Sequence, residues 1–341
     1  HVETARHYGS SERQLGWALP RTPDPSRLLQ SKVPPRPDAD AFEAELELSF
    51  ERLGCDRLDL LAIHGINLPE HLEQTLQPGG CMEVVRRWQA EGRIGHVGFS
   101  THGPTALIAQ ACDSGAFDYV NLHWYYIRQD NGPALDAARR QDMGVFIISP
   151  TDKGGHLHTP SQRLLELCAP LHPIVFNDLF CLQDPRVHTI SVGAARPEDL
   201  ELHLEALRLL PEAASLIAPV DQRLRQAADE ALGRDWMATW SVGLPPWHAT
   251  PGEINLPVLL WLYNLLEAWD LESYAKARYG LLGSGGHWFA GANADGFDAE
   301  VSAEELQSVL QESPWRERIP EILRSLKQRL KGESQMRLSS V

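Results

Sequence analysis

The chain is poor in cysteine: its 341 residues include five, Cys55, Cys81, Cys112, Cys168 and Cys181. They stand singly, and no C-x-x-C pair offers a thiolate metal site or a redox couple. An odd count without regular spacing fits reduced thiols in a cytoplasmic protein rather than a disulfide framework. Long hydrophobic runs are also lacking. The longest, Leu256–Leu266, is interrupted by Asn264 and falls short of the ~20 residues that span a bilayer. Basic residues are outnumbered, 31 Lys and Arg against 46 Asp and Glu, for a net charge of −15. That balance argues against nucleic acid or an anionic membrane as partner, since both bind basic patches. Nor is there a methionine at position 1: the chain opens on His1, already within a strand pattern, and a segment ahead of it is expected to be missing.

What is present is an alternation. Short apolar runs alternate with amphipathic stretches over the first ~210 residues. Strands are expected at His1–Ala5, Leu28–Lys32, Leu58–His64, His96–Ser100, Tyr119–Leu122, Val145–Ser149 and His188–Val192. Helices are expected at Ser11–Leu19, Ala39–Leu53, Cys81–Glu91, Pro104–Ser114, Pro133–Arg140 and Pro197–Leu210. Such an order means a parallel sheet with helical crossovers. Seven strands are one short of the eight that close a (β/α)8 TIM barrel, so the fold expected is α/β, a TIM barrel lacking its first strand, over residues 1–210. Beyond it the character changes. Seven of the ten tryptophans lie between Trp236 and Trp315, which marks residues 211–325 as a separately composed helical region. Residues 326–341 read as a flexible tail.

Catalytic groups of a β/α barrel sit at the C-terminal ends of its strands or in the loops that follow. That rule selects Glu3 near the end of the first visible strand, Tyr8 in the loop after it, Lys32 at the end of the second strand and His64 at the end of the third. Singly, each has an ordinary structural explanation: packing, solvation or ion pairing. Together, at the same ends of successive strands, they are a candidate site for proton transfer.

The run Glu3-Thr4-Ala5 followed by Tyr8-Gly9, Ser11-Glu12 and Gly16 resembles the signature of the aldo-keto reductase family. Ser31-Lys32-Val33-Pro34 resembles that family's lysine motif, and Asp59-Leu60-Leu61-Ala62-Ile63-His64 its histidine motif. Ile94–Ser100 and Val145–Pro150 resemble two of its cofactor segments. The resemblance covers about residues 1–205. It implies an oxidoreductase that reduces aldehydes or ketones to alcohols with a nicotinamide cofactor, NADPH with NADH as the alternative, acting on a small carbonyl substrate. Tyr8 would be the general acid and Lys32 the neighbouring cation that favours its phenolate form. Glu3 would hold Lys32 and His64 would orient the substrate oxygen. Ser100, Asn121, Ser149, Lys153, Gly193 and Arg196 would contact the cofactor, Gly193 and Arg196 from a phosphate segment, Val192–Leu200, that opens a helix.

Several positions depart from the family pattern. Glu3 stands where Asp is usual, Thr101 where Asn follows the serine, Asn121 where Gln is usual, and Ile148 where an aromatic ring is usual. Asp199 would oppose Arg196. Pro251–Pro257 resembles a segment of a subgroup with a cysteine-rich, ferredoxin-like tail, but no cysteine follows Cys181; neither an iron–sulfur cluster nor any other metal site is expected. Trp240, Trp247 or the Gly283–Phe289 loop would then either pack on the barrel or line the substrate pocket. Two alternatives stay open. One is a non-catalytic, nicotinamide-binding regulatory subunit of the same fold. The other is a Schiff-base aldolase using Lys32 or Lys153.

Overall fold

A computed structural model describes residues 1–284 and 289–332. The chain forms two compact units, the first made of residues 1–150 and 184–193, the second of residues 151–183 and 194–332.

The first unit is built on seven parallel strands in sequential order: β1 (Val2–Glu3), β2 (Leu29–Val33), β3 (Leu58–His64), β4 (Ile94–Ser100), β5 (Tyr119–Leu122), β6 (Gly144–Ile148) and β7 (Thr189–Ser191). The helices α1 (Ser11–Ala18), α2 (Ala39–Leu53), α3 (Pro69–Leu76), α4 (Cys81–Ala90), α5 (Thr105–Asp113) and α6 (Gly132–Arg140) lie between them. The sheet is a nearly closed barrel, a (β/α)8 barrel short of one strand. Its register aligns Lys32 with Ala62, His64 with Ser100, and Ser100 with Asn121.

Local sequence explains these elements. Helix α2 turns Phe42, Leu46, Phe50 and Leu53 inward, all buried, and each side chain so removed from water contributes about 1.5–3 kcal/mol. The Asp38 carboxylate accepts the Asp40 amide at its start, and Gly54, at φ +61°, ends it in the left-handed conformation, where glycine bears no Cβ penalty. Strand β3 is apolar from Leu60 to Ile63 because both of its faces are covered. Gly98 in β4 cannot be enlarged: a Cβ there would stand 2.5 Å from the Tyr119 carbonyl oxygen and 2.6 Å from its ring.

The second unit is helical: α7 (Pro150–Lys153), which enters it, then α8 (Gln162–Cys168), α9 (Pro173–Leu182), α10 (Glu201–Leu209), α11 (Ala213–Leu232), α12 (Arg234–Thr239), α13 (Leu256–Trp269), α14 (Glu272–Tyr279), α15 (Ala303–Ser308) and α16 (Ile319–Leu330). The division between units therefore does not fall at residue 210. Helix α8 is tied to later helices: Ser161 Oγ donates to the Trp269 carbonyl, Arg163 Nε to that of Ala268, and Arg223 Nε to that of Leu167. Residues 326–330, expected in the tail, are the last turn of α16, held by the buried stripe Ile319, Ile322, Leu323, Leu326 and Leu330. Residues 333–341 of the expected tail, and residues 285–288 of the Gly283–Phe289 loop, lie outside the described residues. Trp240 and Trp247 are half-buried in this unit. No single described helix is long and apolar enough to cross a membrane.

Candidate active site

The loop after β1 is fixed before it offers any chemistry. The Thr4 and Arg6 amides donate to the Gln30 and Lys32 carbonyls, so the chain stays beside β2 past the end of β1. It then turns: the Tyr8 amide donates to the Ala5 carbonyl, Gly9 takes φ +55°, and the Ser11 amide donates to the Tyr8 carbonyl as α1 begins. Thr4 Oγ1 donates to Ser11 Oγ at 2.7 Å and Ser31 Oγ to the buried Glu12 carboxylate at 2.7 Å. These contacts give Ser11 and Glu12 a structural task, which is to fix the start of α1. Tyr8 is left at the rim, 45% exposed.

Beneath Tyr8 lies a charge network. Lys32 is 1% exposed although it is a lysine in a strand. Its Nζ donates to Glu3 Oε1 at 2.6 Å and to the Thr4 carbonyl at 3.3 Å. It stands 5.0 Å from the centre of the Tyr8 ring, within the range of a cation–π contact. Glu3 reaches this position despite the extra methylene that distinguishes it from Asp. Its other oxygen accepts from Asn121 Nδ2 at 3.1 Å and Ser191 Oγ at 2.9 Å, and Gln30 Nε2 donates to Asn121 Oδ1 at 3.0 Å. One carboxylate thus takes donors from β2, β5 and β7, and a buried charge is tolerated only when so partnered.

His64 meets Tyr8 edge to face, with ring centres 5.6 Å apart and planes at 87°. The residues after it are locked to the end of β4. The Gly65 amide donates to the carbonyl and, at 3.1 Å, to the hydroxyl of Ser100. The Ile66 amide donates to the same carbonyl, and Thr101 Oγ1 donates to the Ile66 carbonyl at 2.7 Å. Tyr119 illustrates by contrast why Tyr8 is the candidate acid. Tyr119 is fully buried, its hydroxyl has no hydrogen-bond partner among the described residues, and burial, followed by the Glu3 charge, pushes its phenol well above the ordinary tyrosine value.

The structure therefore gathers Tyr8, Lys32, His64 and Glu3, all chosen from sequence, into one cluster of the first unit. Of the expected cofactor residues, Ser100, Asn121, Ser149 and Gly193 belong to the same unit. Asn121 is buried and serves Glu3 and Gln30. Ser149 sits at φ +49°, with its amide donating to the Ser191 carbonyl. Gly193 is exposed, with nothing within 4 Å of where a Cβ would be. Lys153 and Arg196 belong to the second unit. There the Lys153 carbonyl accepts from the Tyr274 hydroxyl at 2.9 Å, and Arg196 pairs with Asp199 at 3.1 Å. The opposition expected of Asp199 is thus a direct contact, and its carboxylate also takes the Ala195 and Arg196 amides. Sequence reading missed Ser191, Gln30 and Thr4. Ser191 lies at the C-terminal end of a strand, so the strand-end rule was signal enough to find it.

The chain's residues 1–172 match the family model described as Aldo/keto reductase family. Two solved structures are similar in fold. One is the aldo-keto reductase AKR11C1 from Bacillus halodurans in its holo form, at 17% identity and a TM-score of 0.55, over 65% of this chain and 81% of that one. The other is the thermostable aldo-keto reductase Tm1743 in complex with the inhibitor epalrestat, at 21% identity and a TM-score of 0.52, over 64% of this chain and 81% of that one. No curated protein matches the chain.

Proposed function

Because the chain belongs to the aldo/keto reductase family, we propose that it is an NADP(H)-dependent oxidoreductase that reduces a small aldehyde or ketone to the alcohol. The observation that carries this reading is the cluster at the ends of β1, β2 and β3: a rim tyrosine, a buried lysine 5.0 Å from its ring, a carboxylate 2.6 Å from that lysine, and a histidine against the tyrosine's edge. The residues suit a nicotinamide cofactor. Ser100 at the end of β4 and Ser149 just past β6 bring hydroxyls to the same edge of the sheet on either side of β5, and the open backbone at Gly193 admits a ligand closely. When bound, that cofactor supplies the hydride.

The chain's own residues do the rest. Tyr8 donates its hydroxyl proton to the carbonyl oxygen, turning a developing alkoxide into the alcohol. Lys32, next to the ring, stabilises the phenolate that this transfer leaves behind. Glu3 fixes the ammonium through one oxygen while Asn121 and Ser191 fix its other. His64 donates a ring N–H to the substrate oxygen and sets the carbonyl's direction. Within the first unit, cofactor contacts are assigned to Ser100, Asn121, Ser149 and Gly193. NADPH is preferred for Arg196, whose guanidinium would trade Asp199 for a 2′-phosphate. A cytoplasmic location is supported by cysteines that are all thiols.

The test is oxidation of NADPH and NADH by the intact protein over a panel of carbonyl compounds, followed at the nicotinamide absorbance band. Turnover with a reactive aromatic aldehyde supports the reading. Tight cofactor binding with no turnover on the whole panel would make the chain a nicotinamide-binding regulatory subunit instead.

A further inference from the structure

A second cluster of titratable rings crosses the ends of β4, β5 and β6, and the proposed chemistry does not use it. His102 lies two residues beyond Ser100, and His123 two residues beyond Asn121. Since Leu122 pairs with Ile147, His123 falls level with Ile148. His102 Nδ1 and His123 Nε2 are 2.5 Å apart. The two ring planes lie 26° from parallel with centres 4.7 Å apart, as a hydrogen bond in the plane of both rings requires. His123 Nδ1 is 2.7 Å from the Tyr125 hydroxyl, which in turn donates to the Ile148 carbonyl. His123 and Tyr125 are buried, at 2% and 0% exposure.

The chemistry of the last partner gives this chain a direction. A carbonyl oxygen only accepts, so the single Tyr125 proton points to Ile148. The Tyr125 oxygen must then accept from His123, which carries its proton on Nδ1. His123 Nε2 is left with a lone pair, so His102 must donate to it, also from Nδ1. His123 is thereby held in the Nδ1–H form with its lone pair on Nε2, and His102 carries a proton on Nδ1. The first ring is coupled to the site. The His102 amide donates to Asn67 Oδ1 at 2.6 Å, Gly103 packs against the Asn67 backbone, and Asn67 lies in the short loop, residues 65–68, that follows His64.

We propose that Tyr125 and His123 orient His102, and that all three are positioning residues that hold the His64 loop for carbonyl reduction. The proposal rests on the function proposed above. A tautomer is set by the neighbour on the other nitrogen, as when a carboxylate or carbonyl behind a catalytic or ligating histidine fixes its ring. Here the relay is three side chains long and ends on the backbone of β6.

The test begins with nitrogen-15 NMR of histidine-labelled, full-length protein, with rings assigned by single substitutions. Near neutral pH, His123 is expected to show a protonated Nδ1 and a pyridine-like Nε2, and His102 a protonated Nδ1. In Tyr125→Phe, His123 loses its acceptor and shifts toward the Nε2–H form, the His64 ring signals move, and kcat/KM falls about tenfold with cofactor affinity unchanged within about twofold. His123→Gln, which keeps one donor and one acceptor, should retain more activity than His123→Leu, and it serves as the second variant if Tyr125→Phe does not fold. An Nε2–H signature for His123, or an unprotonated Nδ1 on His102, in the wild type overturns the relay. Altered tautomers with unmoved His64 signals overturn the positioning role. Absence of turnover in the wild type would count against the proposed reductase, while the tautomers and the His64 signals would still decide the relay.

Discussion

Replacing Lys32 by methionine tests the charge network under Tyr8. Methionine has a similar length and no charge, so packing is nearly kept and the ion pair is lost. Glu3 then keeps its donors from Asn121 and Ser191 on one oxygen and loses Lys32 at 2.6 Å from the other. Removing one partner of a buried pair costs about 3–5 kcal/mol. The Glu3 side chain retains 16% exposure and two neutral donors, which places this case at the low end, about 3 kcal/mol. With about 2.1 cal/mol/K of unfolding entropy per residue over 341 residues, that is a fall in Tm of roughly 4 °C. The double variant Glu3→Gln/Lys32→Met has no charge left to strand and should recover to within about 1 kcal/mol of wild type. Urea denaturation gives the free energies, and an unchanged m-value shows that the unfolded state is not the cause. A Lys32→Met protein within about 0.5 kcal/mol of wild type, or a double variant as unstable as the single one, would refute the reasoning.

Other outcomes follow from the same structure. Burial pushes the Cys55 thiol up to about 11 and those of Cys112 and Cys168 up to about 12. At pH 8 they should resist an aromatic disulfide reagent until the protein unfolds; rapid labelling of the native protein would contradict this. Burial alone would raise the Asp184 carboxyl, but the Arg186 guanidinium and amide outweigh it and hold the group below the ordinary value of 3.8. The folded value is lowered, so Asp184 stabilises the fold above about pH 4, and that contribution fades as pH falls through the folded value. Asp184→Asn should therefore be less stable than wild type at pH 7, with the gap closing as pH falls below the ordinary value of 3.8; a gap constant with pH would refute the assignment.

Much of the first unit was legible because its signals are local. The Ala39–Leu53 and Leu58–His64 elements stand where periodicity and a continuous apolar run put them. Helix α9 was not legible. Eight of its ten residues are buried, so apolar side chains go all the way round it and no face stands out. Two of the buried eight are Asn177 and Asp178, which broke even the apolar run. The site was partly legible for a similar reason. Tyr8, Lys32, His64 and Glu3 announce themselves by lying at or just past strand ends. That Ser191 would close on Glu3, 188 positions away, or His123 on Tyr125 and the end of β6, depends on strand register, and residue spacing alone carries no information about register between strands.

The central claim is that Tyr8 is the acid in carbonyl reduction. Its most direct test compares wild type with Tyr8→Phe in NADPH oxidation by a reactive aromatic aldehyde, with cofactor affinity measured on both proteins. If Tyr8 is the acid, the wild type turns over measurably, Tyr8→Phe loses about 10²–10⁴-fold in kcat, and cofactor affinity stays within about twofold. A Tyr8→Phe protein that turns over as fast as wild type would contradict it.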